Sequence, residues 1–74
     1  MSTVAPANPH VVNIGDTAGI AWSVLAEDGP MSVAKLVQAV GGPRDIVMQA
    51  LGWLAREGKI QIEEEGRSRI VSLR

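Results

Sequence analysis

The first third of the chain has the residue pattern of an amphipathic helix. Five apolar residues recur at helical spacing and share one face that we expect to be buried, namely Ile14, Ala18, Ala21, Trp22 and Leu25. Asn13, followed three residues later by Asp16, resembles a capping box and predicts a helix start near Asn13. The helix ends at Gly29-Pro30, because glycine accepts a left-handed cap and proline cannot continue a helix.

Two further helices are predicted with a very short connection between them. Ser32 is a favourable N-cap for a helix over Val33–Val40, and a third helix runs from Arg44 to Glu57. Their predicted buried faces are Val33, Leu36, Val37 and Val40 on the second helix and Val47, Ala50, Leu51 and Leu54 on the third. The intervening turn, Gly41-Gly42-Pro43, forces the two helices to cross sharply, which is the helix-turn-helix arrangement.

The C-terminal residues alternate between apolar and polar, as in β-strands. Lys59–Glu64 and Arg67–Leu73 are the predicted strands, joined into a hairpin at Glu65-Gly66. Met31 could add a short strand stub. A three-helix bundle followed by a hairpin defines a winged helix-turn-helix domain of the α+β class. The hairpin is its wing and the third helix is its recognition helix.

Composition sets the boundaries of this domain and excludes several classes of site. Residues 1–12 contain two prolines and no periodic apolar pattern, so we expect a flexible N-terminal tail before a domain over residues 13–74. The 74-residue chain has no cysteine, which excludes disulfides and zinc-thiolate sites. We find neither a signal peptide nor a membrane-length apolar run, and we therefore expect a cytoplasmic protein.

Several segments of the chain resemble one family. The stretch Ala50–Ile60 looks like the end of a recognition helix entering a wing, and it occurs here together with Ile14–Gly19 and Glu63–Arg67. In these segments the chain resembles a family of small stand-alone bacterial and archaeal winged helix-turn-helix proteins of unknown function. The resemblance covers nearly all of the chain from Asn13 to Leu73, and it implies the fold and a tendency to form homodimers. It brings no functional residues with it.

The residues that could support catalysis do not form a plausible site. His10 is the single histidine, and it lies in the proline-containing tail without a partner to position it. Glu63, Glu64 and Glu65 would point to alternate faces of a strand, so they cannot converge as an acid–base pair. The turn Gly41-Gly42-Pro43 lacks the lysine and hydroxyl residue of a phosphate-binding loop. We therefore expect no enzyme activity, no cofactor and no metal site.

DNA binding is one of two functions that the fold allows. Gln49 is the one good base reader at the middle of the exposed face of the third helix. The cations that could contact phosphates are Lys35, Arg44, Arg67 and Arg69. The net charge of −1 lacks the basic excess of a typical DNA-binding domain, so the sequence does not favour this function.

Protein association is the function that the sequence favours. Met48, Gly52 and Trp53 would form an apolar strip on the exposed face of the third helix, and such strips usually mark interaction sites. We expect the domain to form a homodimer or dock a protein partner there, and neighbouring apolar positions, including those of the first helix, could extend the interface. One alternative stays open, in which Trp53 folds back onto its own wing or first helix and completes the small core. Trp22 is expected in the core.

Overall fold

Three helices and a three-stranded antiparallel sheet make up residues 8–74, the part of the chain that the computed structural model describes. The elements in chain order are α1 (Pro9–Asp28), β1 (Met31–Ser32), α2 (Val33–Val40), α3 (Arg44–Arg56), β2 (Ile60–Glu65) and β3 (Ser68–Leu73). This order confirms the predicted winged helix-turn-helix fold, including the short strand at Met31.

Helix α1 begins one turn earlier than predicted, so the expected start near Asn13 is wrong. Asn8 is the N-cap, and its Oδ1 accepts a hydrogen bond of 2.8 Å from the backbone N–H of His10. Pro9 occupies the first helical position, where its missing N–H has no cost. Asn13 therefore lies inside the helix. The remainder of the expected tail, residues 1–7, lies outside the described residues.

The helix-turn-helix segment forms because α2, the helix that leads into the turn, is capped at both ends. At the start of α2, Ser32 Oγ accepts a hydrogen bond of 3.1 Å from the backbone N–H of Lys35. At its end, Gly41 adopts φ 80° and ψ 7°, and its N–H donates to the carbonyl of Val37 over 3.1 Å. This left-handed conformation favours glycine, and it lets Gly42-Pro43 lead directly into α3.

The wing is an antiparallel hairpin whose strands are offset by about one residue from the prediction. Glu65 pairs with Ser68, so the loop is Gly66-Arg67 rather than Glu65-Gly66. Gly66 has φ 60°, the positive value required at the first central position of a type II′ turn. Strand β3 lies at the centre of the sheet, where Val71 pairs with Met31 of β1 on one side and with Ile62 of β2 on the other.

The hydrophobic core lies where the three helices meet the inner face of the sheet. Its largest fully buried side chains are Leu25, Leu36, Val47, Leu51 and Val71. All four residues predicted to be buried on α3 are buried, whereas Val37 and Val40 on α2 are only half-buried. The core is therefore formed mainly by residues of the predicted apolar stripes, and the faces of α1 and α3 that point away from it are exposed.

Candidate functional site

A groove with arginine side chains along it lies between the start of α2, the start of α3 and the wing. We call this surface the basic groove and define it by Ser32, Arg44, Met48, Arg67 and Arg69. Arg44 is the first residue of α3, Arg67 lies in the hairpin loop, and Arg69 lies on β3. The wing folds back toward the helices, and this brings together three arginines from the list of predicted DNA contacts.

The arginines of the basic groove are available to an external anion. Within residues 8–74 there is one ion pair, in which Lys59 Nζ lies 3.6 Å from Glu57 Oε1, well outside this groove. Arg69 pairs across the sheet with Glu64, which partly offsets its charge without forming an ion pair. Glu63 and Glu65 alternate with Glu64 along β2, so they belong to the opposite face of the wing.

The other two predicted DNA contacts lie outside the basic groove. Lys35 is exposed in the first turn of α2. Gln49 is exposed on α3, and its Oε1 accepts a hydrogen bond of 3.0 Å from Nε2 of His10. The sequence analysis assigns His10 to the N-terminal tail and does not predict this contact. The early start of α1 explains it, because the added helical turn carries the imidazole alongside α3.

The three residues predicted to form an apolar strip on α3 do not lie on one continuous surface. Met48 is half-buried against the core and lines the basic groove. Gly52 is exposed, with open space around the position that a Cβ atom would occupy. Trp53 lies on the other side of the helix, where its ring edge packs on α1 at 3.9 Å from the Cβ position of Gly15. The helix itself thus separates Met48 from Trp53.

A second groove runs between α1 and the C-terminal half of α3. We call it the tryptophan groove and define it by Gly15, Gly19, Trp22, Trp53 and Leu54. Trp22 is 43% exposed and Trp53 is 39% exposed, so the expectation that Trp22 belongs to the core is wrong. The α1 core face follows Ala18, Ala21 and Leu25, and Trp22 lies at the edge of this stripe. Both aromatic residues of the chain therefore line one groove.

Sequence reasoning did not identify the tryptophan groove, although the signal for it was present. Gly15, Gly19 and Trp22 recur at intervals of four and three residues, which is a second helical stripe beside the buried one. Two glycines inside a helix also lower its stability, and this suggests that something packs close to them. At Gly15 the ring of Trp53 packs close, as this reasoning predicts. At Gly19 nothing does: apart from the local helix backbone, no heavy atom of the described residues lies within 4 Å of the Cβ position.

The described part of the chain lacks two other kinds of feature, a cluster of metal ligands and a membrane-spanning helix. Residues 8–74 contain no group of three or more His, Asp or Glu side chains placed to hold a metal ion. No helix in this range is both long and apolar enough to cross a bilayer.

The fold and its two grooves define the class of this protein as a winged helix-turn-helix domain. The family described as "Winged helix-turn-helix domain (DUF2582)" matches residues 10–73, and the chain belongs to this family. It is 33% identical over 63 residues to an uncharacterized protein of Methanocaldococcus jannaschii, an alignment that covers 82% of this chain and 90% of that protein.

Two solved structures share this architecture at low sequence identity. A transcriptional regulator of the ArsR family superposes with a TM-score of 0.63 at 18% identity, covering 88% of this chain and 71% of that one. Reduced HlyU from Vibrio cholerae superposes with a TM-score of 0.63 at 20% identity, covering 86% of this chain and 72% of that one. At this level of identity the similarity establishes the fold alone.

Proposed function

We propose that this chain is a non-catalytic DNA-binding module that holds duplex DNA by its phosphate backbone at the basic groove. The observation that carries the proposal is that Arg44, Arg67 and Arg69 line one groove. They come from three different places in the chain: a helix start, a hairpin loop and a strand. The fold of a solved regulator supports it. A cytoplasmic location, which we expect from the sequence, remains part of this proposal.

The chemistry of the basic groove suits phosphate. A guanidinium group presents several N–H donors in a fixed plane and binds phosphate oxygens through paired hydrogen bonds. The groove also includes Ser32, the N-cap of α2, so the positive end of that helix dipole adds to the charge of the arginines. None of the three arginines would have to break an ion pair with another residue of the range 8–74 before it binds.

The exposed face of α3 offers little for reading base sequence. Gln49 already bonds to His10, and its neighbour Gly52 has no side chain that can pair with a base edge. Arg56, the other polar side chain of the C-terminal half of α3, lies in the last turn, whereas base edges are contacted mainly from the N-terminal part of a recognition helix. Backbone contacts position a protein on DNA but carry no sequence information directly. We therefore propose binding of low sequence specificity for a single copy of the domain.

The test is the salt dependence of binding to a fluorescently labelled pool of random-sequence duplexes, followed by anisotropy. Each phosphate contact adds about 0.9 to the magnitude of the negative slope of log K against log salt, so replacing all three arginines by glutamine should reduce that magnitude by about 2.7. Arg74→Gln is the matched control, because Arg74 lies beside the tryptophan groove and its loss should leave the slope nearly unchanged.

Two results would reject DNA binding at this groove. The first is the absence of any anisotropy change for the wild-type protein at low salt. The second is a triple arginine variant that binds with the affinity and slope of the wild type.

Self-association is the second candidate function, and the exposure of Trp53 supports it. An indole that is 39% exposed on a small domain offers apolar area to a partner. The sequence favours docking through Met48, Gly52 and Trp53 of α3, either in a homodimer or with another protein. The separation of Met48 from Trp53 argues for a different surface, which includes α1.

A further inference from the structure

We propose that His10 determines which base the recognition helix prefers, by holding the side-chain amide of Gln49 as a hydrogen-bond donor that fits guanine in the major groove. This inference rests on the DNA binding proposed above, and it adds a preference at one base pair to the contacts with phosphate. His10 acts through Gln49 and is therefore a positioning residue.

The hydrogen bond between His10 and Gln49 fixes the roles of both side chains. Gln49 Oε1 lies 3.0 Å from His10 Nε2. An amide oxygen can only accept, so the imidazole donates through a proton on Nε2. The bond turns the amide oxygen toward α1 and leaves the amide nitrogen on the other side. Gln49 Nε2 has no hydrogen-bond partner among residues 8–74, so both of its N–H groups are free to donate.

Free donors on Gln49 distinguish between the two purines. Guanine presents N7 and O6 in the major groove, and both atoms accept hydrogen bonds. Adenine presents the acceptor N7 beside the N6 amine, and the usual pairing of glutamine with adenine needs the amide oxygen to accept from that amine. In this protein the oxygen already accepts from His10, so the amide of Gln49 matches guanine better than adenine.

The start of α1 holds His10 in place for this bond. Asn8 Oδ1 accepts a hydrogen bond of 2.8 Å from the backbone N–H of His10, and the Asn8 carbonyl accepts one of 3.0 Å from the N–H of Val12. Pro9 fixes φ at the first helical position. Because the helix already orders the backbone of His10, less conformational entropy is lost when the imidazole holds Gln49.

The surface around Gln49 suits base edges more than phosphates. Asp45 and Gly52 lie about one helical turn before and after it on the same exposed face. The carboxylate of Asp45 would repel a phosphate, whereas the amine of a cytosine can donate to it. The Cβ position of Gly52 faces open space, so no side chain there keeps a base pair away from Gln49. Gln49 is thus placed to meet bases while the arginines of the basic groove hold phosphates.

The preference is tested by sequencing the DNA that the protein retains from a random-sequence duplex pool at low salt. We expect the wild type to enrich guanine over adenine at one position by about fivefold, the lower end of the discrimination of a good bidentate contact. His10→Ala frees the oxygen of Gln49, so the enrichment should change to adenine. Circular dichroism verifies that this variant is folded.

Two further variants separate the donor at position 10 from a general effect on α1. His10→Gln should retain the preference for guanine, because its amide N–H can replace Nε2–H as the donor to Gln49. Val11→Ala is the matched control at an exposed neighbouring position, and it should behave as the wild type.

A modified base separates direct contact from DNA shape. Replacing the selected guanine by 7-deazaguanine removes the N7 acceptor and keeps the base pair. The affinity of the wild type should then fall toward its affinity for the same duplex with adenine at that position. An unchanged affinity would overturn the contact between Gln49 and guanine.

Each contrary outcome has a distinct meaning. A wild type without a base preference or with a preference for adenine, or a His10→Ala variant with the preference of the wild type, would overturn this inference and leave the proposed DNA binding intact. A His10→Gln variant that behaves like His10→Ala would overturn the role of position 10 as a donor. A wild type that retains no DNA at all would overturn the proposed function itself.

Discussion

Replacing Trp53 by alanine measures how much of its indole serves the domain itself. Trp53 is 39% exposed, so about three-fifths of its surface is covered by its own chain, in part by α1 at Gly15. A fully buried aromatic side chain removes about 150–250 Å² from water, so Trp53 removes roughly 90–150 Å². At about 25 cal/mol per Å², this corresponds to about 2–4 kcal/mol of stability as an upper estimate.

This loss is large for a domain of such size. A fold of this length is expected to have a free energy of unfolding of about 3–10 kcal/mol. Trp53→Ala should therefore leave a folded but clearly weakened domain. Trp53→Leu should cost less, because leucine retains part of the contact with α1. Arg56→Ala, an exposed neighbour on α3, should change stability by no more than about 0.5 kcal/mol.

Urea denaturation followed by circular dichroism is the appropriate assay, at about 1 µM so that mass action favours the monomer. The midpoint and slope of the transition give the free energy of unfolding for each variant. A change below about 0.5 kcal/mol for Trp53→Ala would refute the reasoning, because such a value is typical of surface positions without packing contacts. Trp53 would then contribute to an interface and hardly at all to the fold.

Two further pairs of substitutions test the turn and caps that orient α3. Ser32→Ala should lower the free energy of unfolding, measured by urea denaturation, by about 1 kcal/mol because the N-cap of α2 is lost. Ser23→Ala, a control on the exposed side of α1, should leave the free energy of unfolding nearly unchanged. Thermal melting should show changes in Tm of opposite sign for two glycines. Gly41→Ala should lower Tm, because alanine is strained at the positive φ of this position. Gly52→Ala should raise Tm, because a glycine inside a helix is about 1 kcal/mol less stable than an alanine there. Equal signs would contradict the left-handed cap at Gly41.

The fold could be predicted because local signals in the chain agree with one another. Ser32 caps α2, Gly41 permits the sharp turn, and the strand alternation places Ile60 and Val71 in the core. The start of α1 was missed because Asn13 and Asp16 offered one cap while Asn8-Pro9 offered another, and the two signals are equivalent in local sequence. Tertiary contact distinguishes them, since only the earlier start brings His10 beside α3.

The candidate sites were harder to predict because they depend on contacts between distant segments. Charge alone identified Arg44, Arg67 and Arg69, but their convergence requires the wing to fold back against the helices. Met48 and Trp53, predicted to share one strip on α3, line different grooves for a geometric reason. Met48 and Trp53 are five residues apart, which is a rotation of about 140° around a helix of 3.6 residues per turn. Such a pair faces two different neighbours, here the wing and α1.

The separation of the two grooves gives each proposed activity its own surface on α3. Met48 belongs to the basic groove and Trp53 to the tryptophan groove, so a dimer formed through α1 would leave both basic grooves free. One copy has few groups that read bases, and its phosphate contacts alone would bind DNA without much discrimination. Two copies joined rigidly would present two such grooves at a fixed spacing, and the second contact would then form at a high effective concentration. Affinity and any preference among DNA sites would in that case depend on the dimer more than on the recognition helix.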